Sequence, residues 1–364
     1  MRSWEVCDSM AKVLIKGGRV WDGEEFSYAD VLTDGDRIAK IEQHITDDAN
    51  YVYDASEKIV SAGLVDTHVH MLGFEPDMYG INVEMGCLPF GVTAAADAGG
   101  AHADREIAAS YQVKNVTFVT AKIEDDKARF SIAEEKMALY GDRVIGIKVY
   151  FDTKSPHVRS IKPLEEICAY ARERGLKVMV HCSNSPTKML EIVNTLSEGD
   201  ILTHAYHGGE NNASEDGFEA IREAKRKGVI IDAGFAGHIH TDFAVFKKAV
   251  ENGALPDTIS TDITRASAYK RGGRYGMTMC MSMARHMGMS ETDIFRAVTS
   301  NPAKALGMEN EWGYLQVGRI ADIAVLDYTD ESFDLTDKAG NHIESQKGYR
   351  CVLTVSDGQV VYRN

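Results

Sequence analysis

The 364-residue chain lacks several features that would assign it to a specialised class of protein. Its six cysteines (Cys7, Cys87, Cys168, Cys182, Cys280 and Cys351) show no paired spacing, so reduced thiols are expected, not a disulfide framework or a zinc knuckle. No apolar run approaches the roughly 20 residues that a membrane-crossing helix requires. Residues 1–10, with Glu5 and Asp8, lack the basic-then-apolar layout of a secretory signal, so a cytoplasmic protein is expected. Basic side chains are outnumbered, 40 Lys and Arg against 55 Asp and Glu, and the acidic excess is spread along the chain. That distribution disfavours nucleic acid and anionic membranes as partners. Internal repeats and low-complexity segments are also absent. What remains, 44% hydrophobic and 26% charged residues, is ordinary globular composition with enough apolar material for a large core.

The order of elements suggests the architecture. From Lys12 to about Val60, short apolar runs alternate with turn signals at Gly17-Gly18, Asp22-Gly23 and Asp34-Gly35-Asp36, which predicts hairpins. After Gly63, strands are expected over 64–70, 91–97, 115–121, 143–150, 176–182, 200–206, 228–234 and 257–262. Helices are expected over 102–112, 162–174, 214–226 and 241–251. Eight strands alternating with helices predict an α/β fold, a (β/α)8 TIM-like barrel over 61–311. Beyond Glu311 the pattern returns to strands at 318–326, 351–355 and 360–362. The two ends, 1–60 and 312–364, are therefore expected to build one small β-sandwich. Met277, Met279, Met281 and Met283 look like a metal-binding tract, but residues two apart do not share a helix face, so core packing is expected.

Polar residues at the strand ends carry the chemistry. Alternate side chains of a strand share a face, so His68 and His70 align with Asp66. In the fourth barrel strand, Ile145, Ile147, Val149 and Phe151 take one face and Lys148 points inward. A buried amine is costly unless it is paired or neutral. Lys148 is thus expected either to meet a carboxylate or to react with carbon dioxide, giving an anionic carbamate that can bridge two metals. His181, His204 and Asp262 end the fifth, sixth and eighth strands with the same inward phase. In a barrel, active sites gather at the C-terminal ends of strands, and these nitrogen and oxygen donors suit zinc and its neighbours.

With these residues in view, the sequence resembles the binuclear amidohydrolase superfamily over nearly its whole length. The resemblance runs from Lys16-Gly17-Gly18-Arg19-Val20 through Asp66-Thr67-His68-Val69-His70 to Asn301-Pro302-Ala303-Lys304-Ala305-Leu306-Gly307 and Gly318-Arg319-Ile320-Ala321-Asp322. Gly91-Val92-Thr93, Asp97-Ala98-Gly99 and Pro256-Asp257-Thr258-Ile259-Ser260-Thr261-Asp262 look most like the dihydroorotase-related amidohydrolase/deacetylase branch. The resemblance implies an enzyme that hydrolyses an amide or ester bond of a small molecule, and Arg265 with the loop histidines would suit an anionic one. It implies two divalent metal ions, zinc first. One would be held by His68, His70, carboxylated Lys148 and Asp262, the other by Lys148, His181 and His204. It further implies a bridging hydroxide, with Asp262 as ligand and catalytic acid/base together.

Tyr150, His207, His238, His240 and Arg265 are the candidate substrate contacts, being expected on or beside loops that face the site. Tyr150 after the lysine, Cys182-Ser183-Asn184 after His181 and the short spacing from His70 to Lys148 depart from the family pattern around the substrate. A homo-oligomer is expected. A cyclic amidase would use the same metal set. A deaminase of the superfamily commonly lacks the bridging lysine, and a non-catalytic scaffold would have lost its ligands.

Overall fold

The computed structural model describes residues 12–71, 79–99, 110–153, 158–237, 239–270, 273–330, 333–345 and 347–364. The N-terminal segment, most of the helix expected over 102–112, and His238 lie outside the described residues.

The first strands are β1 (Val13–Trp21), β2 (Phe26–Asp34), β3 (Arg37–Glu42), β4 (Tyr51–Asp54) and β5 (Ile59–Ala62). Asp22-Gly23 and Asp34-Gly35-Asp36 make turns as the sequence suggests, but Gly17-Gly18 does not. It is a bulge inside continuous β1, where the register to β2 shifts between Ile15 and Gly18 and Gly17 takes φ +70°. Gly17 N donates to buried Asp30 Oδ1 at 2.7 Å, so the strand bends there instead of reversing.

The barrel begins with β6 (Leu64–Val69), β7 (Val92–Ala98) and β8 (Lys114–Thr120), followed by a small hairpin of β9 (Lys122–Glu124) and β10 (Lys127–Arg129). It continues with β11 (Val144–Tyr150), β12 (Lys177–His181), β13 (Ile201–Thr203) and β14 (Ile230–Asp232). The parallel sheet runs β6-β7-β8-β11-β12-β13-β14. The eighth strand, expected over 257–262, is reduced to two isolated parallel bridges: Thr258 with Asp232 and Ile263 with Val69. Asp262, at φ +46°, leaves the extended region between them, which is why no continuous ladder forms. Those two bridges close the circle.

Outward residues such as Ile147, Val149, Val178, Val180 and Leu202 belong to the large core, while Val65, Ala94, Ala96, Phe118, Met179 and Ile201 form a separate interior cluster. Ile145 joins the interior set, not the outward one expected. The β11–β8 register shifts between Val144 and Gly146, and a one-residue slip turns a side chain to the other face. Helices Lys162–Glu173 and Phe243–Glu251 agree closely with expectation, whereas the one expected from 214 starts at Glu219, after Phe218 takes φ +67°. Met277, Met279, Met281 and Met283 are all buried in the helix Met277–His286. Among the described residues no helix is long and apolar enough to cross a membrane.

The chain end supplies β15 (Ile323–Thr329), β16 (Phe333–Thr336), β17 (His342–Ser345), β18 (Gly348–Ser356) and β19 (Gln359–Arg363). Strands from both ends share one eight-stranded mixed sheet, ordered β19-β18-β15-β5-β1-β2-β3 with β4 beside β1. A single sheet results because β5 pairs β1 on one side and β15 on the other. The hairpin β16–β17 is a sheet of its own.

Trp21 fastens this sheet to the barrel. Fully buried, it donates from Nε1 to Thr299 Oγ1 at 3.0 Å and lies 4.8 Å from the Phe26 ring and 6.2 Å from Phe295. Trp21→Ala removes an aromatic body from a closed site and leaves the Thr299 hydroxyl one partner short. Urea unfolding should show a loss of about 3–5 kcal/mol, with a smaller loss for Trp21→Phe.

Candidate metal centre

The site is built at the ends of the barrel strands. His68 belongs to β6 and His70 follows it, Lys148 lies in β11, His181 ends β12, His204 follows β13, and Asp262 stands between the closing bridges. Two of these residues hold left-handed backbone, His204 at φ +72° and Asp262 at φ +46°. Such conformations are disfavoured for residues with a Cβ and persist where surrounding structure imposes them. Here the imposing bonds are His204 N to Asp232 O at 3.1 Å and Asp262 N to His68 O at 2.7 Å.

The side chains converge. Asp262 Oδ1 is 2.9 Å from His70 Nε2 and 3.3 Å from His68 Nε2, and Oδ2 is 3.7 Å from His204 Nε2. Lys148 Nζ lies 3.1 Å from His68 Nε2 and 3.4 Å from Met179 Sδ. The His204 ring centre is 4.6 Å from His181 and 4.2 Å from His240. Two groups have ligand atoms mutually within 4.8 Å: His68, His204 and Asp262, and His181, His204 and His240.

Hydrogen bonds around the cluster orient the imidazoles. His204 Nδ1 lies 2.7 Å from the Gly234 carbonyl, which can only accept, so Nδ1 carries the proton and Nε2 presents its lone pair to the cluster. Thr203 Oγ1 donates to Asp232 Oδ2 at 2.7 Å and can accept at 3.2 Å from His68 Nδ1, which leaves His68 Nε2 as a lone pair beside Lys148. His204 Nε2 and Asp262 Oδ1 are buried without a hydrogen-bond partner of good geometry, while His70 meets Asp262 through Nε2. Buried polar atoms are rarely left so, and a convergence of imidazole nitrogens and a carboxylate oxygen fits a divalent cation of the zinc type.

The electrostatics agree with that fit. Burial holds His68 and His204 well below the usual imidazole range, with neighbouring cationic groups adding to the effect, and it lowers His181 as well. All three are therefore neutral, the form that binds metal. Burial lowers the Lys148 amine to about 8 against the opposing pull of Asp262 and Asp232. Lys148 makes no ion pair among the described residues, and the lowered value enlarges the share of neutral amine, the form that reacts with carbon dioxide. Burial alone would raise Asp262, but His70, His240 and Lys148 outweigh it and keep the carboxylate ionised.

The remaining candidates separate. His240 joins the cluster, with Nδ1 3.0 Å from Ser183 Oγ and Nε2 4.0 Å from Asp262 Oδ2. Tyr150 stands at the rim, 36% exposed, its ring 5.7 Å from His181 and 5.6 Å from Lys148 Nζ. His207 is fully buried, its Nδ1 accepting from Gly209 N at 3.1 Å. Arg265 is exposed at the start of the helix Arg265–Lys270, its guanidinium 6.0 Å from the Tyr269 ring. His238 lies outside the described residues.

Sequence reasoning missed Tyr79, Asp152 and Asp232. The Tyr79 ring is 4.6 Å from His70, and Asp152 Oδ2 is 3.6 Å from His181 Nε2. Asp232, fully buried, accepts from Thr67, Thr203, Thr258 and Ser260 and lies 3.8 Å from His68 Nδ1. The strand-end rule that selected His181 would have selected Asp232, which ends β14 in the inward phase. Asp66, aligned with the histidines in the sequence, instead accepts from Thr261 Oγ1 at 2.6 Å and ties the closing segment to β6.

Comparison with known proteins adds to this geometry. The model of the amidohydrolase family matches residues 59–361. A deacetylase of Enterococcus faecalis is 29% identical over 321 residues, covering 83% of this chain and 86% of that protein. A dihydroorotase of Pelotomaculum thermopropionicum is 24% identical over 392 residues, covering 87% and 89%. The crystal structure of a dihydroorotase superposes with a TM-score of 0.85 at 23% identity, covering 97% of this chain and 99% of the other.

The Asp232 network yields a test that stands apart from these likenesses. Asp232→Ala leaves four buried hydroxyls short of an acceptor and releases the partner of His68. Chemical unfolding should show a loss of about 3–5 kcal/mol, the scale for breaking a buried charged network, and bound metal measured on the folded fraction should fall.

Proposed function

The chain belongs to the amidohydrolase family and is a hydrolase acting on carbon–nitrogen bonds, and from that premise we propose a binuclear, deacetylase-like enzyme. It cleaves an amide or ester bond of a small, anionic molecule. The observation that carries this reading is the fully buried Lys148 amine, lowered by burial to about 8 and set among His68, Asp262 and the neighbouring histidines. Its neutral Nζ attacks carbon dioxide, forming a carbon–nitrogen bond and losing one proton, which converts an unpaired buried amine into an anionic two-oxygen ligand.

His68, His70, carboxylated Lys148 and Asp262 would hold one divalent ion, and Lys148, His181 and His204 the other, with zinc favoured by the donor set. When bound, the pair of ions supplies an activated water and polarises the scissile carbonyl. Asp262, ionised and pointed into the cluster, takes a proton from the attacking water at a carboxylate oxygen and delivers it to the leaving nitrogen or oxygen. Tyr150 keeps its phenolic proton, because burial and the Asp262 and Asp97 carboxylates raise it further above its usual value. It is thus a neutral donor at the rim. Residues 61–311 form the hydrolase barrel, with 1–60 and 312–364 as one unit beside it, a division supported by the pairing of β5 with both β1 and β15.

A cyclic amidase is the second reading, favoured by the similarity to a dihydroorotase over 87% of the chain. It uses the same residues and differs only in whether the cleaved bond lies in a ring.

Protein purified with zinc and bicarbonate should carry close to two metal ions per chain, as binuclear hydrolytic sites do. Lys148→Ala should lose metal and activity together, whereas a variant with unchanged metal content would remove the bridging role. On a panel of N-acetyl, O-acetyl and cyclic amide compounds, hydrolysis of the acyclic members decides for the deacetylase reading and ring opening for the cyclic amidase. Asp262→Asn should lower kcat by roughly a hundredfold or more on whichever compound is turned over.

A further inference from the structure

His240 stands outside both ligand sets of the binuclear centre, yet its ring is held against them. The residues that follow it are anchored one by one. Lys338 N donates to Thr241 O at 3.0 Å, Asp242 N to Tyr206 O at 3.1 Å, and Phe243 N to Asp337 Oδ2 at 3.0 Å. Asp242 also caps the helix Phe243–Glu251, its Oδ1 accepting from Ala244 N at 2.9 Å and Val245 N at 3.1 Å. His240 therefore sits at the end of a fixed loop, and Ser183, fully buried just after β12, meets its Nδ1 at 3.0 Å through Oγ.

A serine hydroxyl can accept from Nδ1–H, which leaves His240 Nε2 as a lone pair turned to the cluster. The ring centre lies 4.2 Å from His204 and 4.9 Å from His181, and Nε2 is 4.0 Å from Asp262 Oδ2. The same Oδ2 is 3.7 Å from His204 Nε2, an atom buried with no hydrogen-bond partner. Both separations are too long for hydrogen bonds. They are close to the spacing of about 3.3 Å between two donors on one tetrahedral zinc with bonds of about 2.0–2.1 Å. Ligand atoms of His181, His204 and His240 all lie within 4.8 Å of one another. Lone pairs that face lone pairs gain nothing without a cation among them, and Asp262 divides the cluster, with Oδ1 toward His68 and His70 and Oδ2 toward His204 and His240.

We propose that His240 is a further metal ligand, and that His181, His204 and His240 with Asp262 Oδ2 form a site that takes one divalent ion before Lys148 is carboxylated. Its donors are assembled by the fold alone. The other group waits on chemistry, because there the unreacted Lys148 amine stands 3.1 Å from His68 Nε2. The two ions of the centre thus depend unequally on carbon dioxide, and Ser183 is a positioning residue that acts through the His240 ring. The inference rests on the binuclear reading for the second ion but not for the first.

The test titrates cobalt(II) chloride into chelator-stripped protein in bicarbonate-free buffer, read by calorimetry and by the visible spectrum of the bound ion, so turnover is not needed. The parent should bind one ion per chain, and added bicarbonate should admit a second. Lys148→Ala should keep the first ion with its affinity and spectrum and lose the second. Ser183→Ala should weaken the first ion about tenfold, the low end of the effect of losing a residue that orients a ligand, and His240→Asn about a hundredfold. Parent affinity and spectrum in His240→Asn overturn the site. Should that variant fail to fold, the cobalt spectrum of Ser183→Ala decides in its place, an unchanged spectrum overturning the site. Loss of both ions in Lys148→Ala, or a parent that takes up ions only with bicarbonate, overturns it too while leaving the hydrolase reading intact. If the first ion depends on His240 but no compound on the panel is hydrolysed, the site stands and the hydrolase reading falls.

Discussion

Several titratable side chains share the dry end of one barrel, and that crowding governs how they behave. His68, His204, Lys148, Asp232 and Asp262 are each at most 4% exposed. Water is thus largely excluded as a source of hydrogen bonds, and every charge must be cancelled or given up. The imidazoles and the amine respond by shifting toward neutrality, while Asp232 stays ionised through four hydroxyl donors and the neighbouring His68. Asp262 keeps its charge with an oxygen left unbonded. A site of lone pairs with one unsatisfied anion is the electrostatic complement of a cation, and this complementarity links the fold to hydrolytic chemistry.

Closing the barrel creates that arrangement. Without the segment 258–263 between β14 and β6, Asp262 would have no route to the histidines. Two bonds to the Asp66 carboxylate, from Thr261 N and Thr261 Oγ1, hold the segment in place. Tyr275 OH donates to the Thr261 carbonyl at 2.5 Å from the other side. The left-handed backbone at Asp262 is sustained by these contacts, and the interrupted eighth strand is its consequence. The chain ends then act from a distance: one sheet is fastened to the barrel domain through Trp21, while the tip of the hairpin β16–β17 meets the loop carrying His240.

The strand order, the inward phase of Lys148, His181 and His204, and the identity of the His68–His70 pair were legible because strand side chains alternate and barrels place polar residues at strand ends. Asp232 was equally legible and was passed over, since a lone aspartate in an apolar strand carries no spacing motif. Ile145 and Gly17-Gly18 misled for a shared reason. A bulge changes register without any composition signal beyond a glycine, and the same glycine serves a turn.

The sequence by itself determined the barrel, the participation of both chain ends beside it, and the residue types that meet at its mouth, because all three follow from short-range periodicity. Tertiary structure alone decided which nitrogen of His204 faces the cluster, that Asp66 ties strands together while Asp262 points inward, and that the backbone of Lys338 meets Thr241. Those depend on hydrogen bonds and burial between residues far apart in the chain, and on backbone angles that only the assembled barrel can enforce.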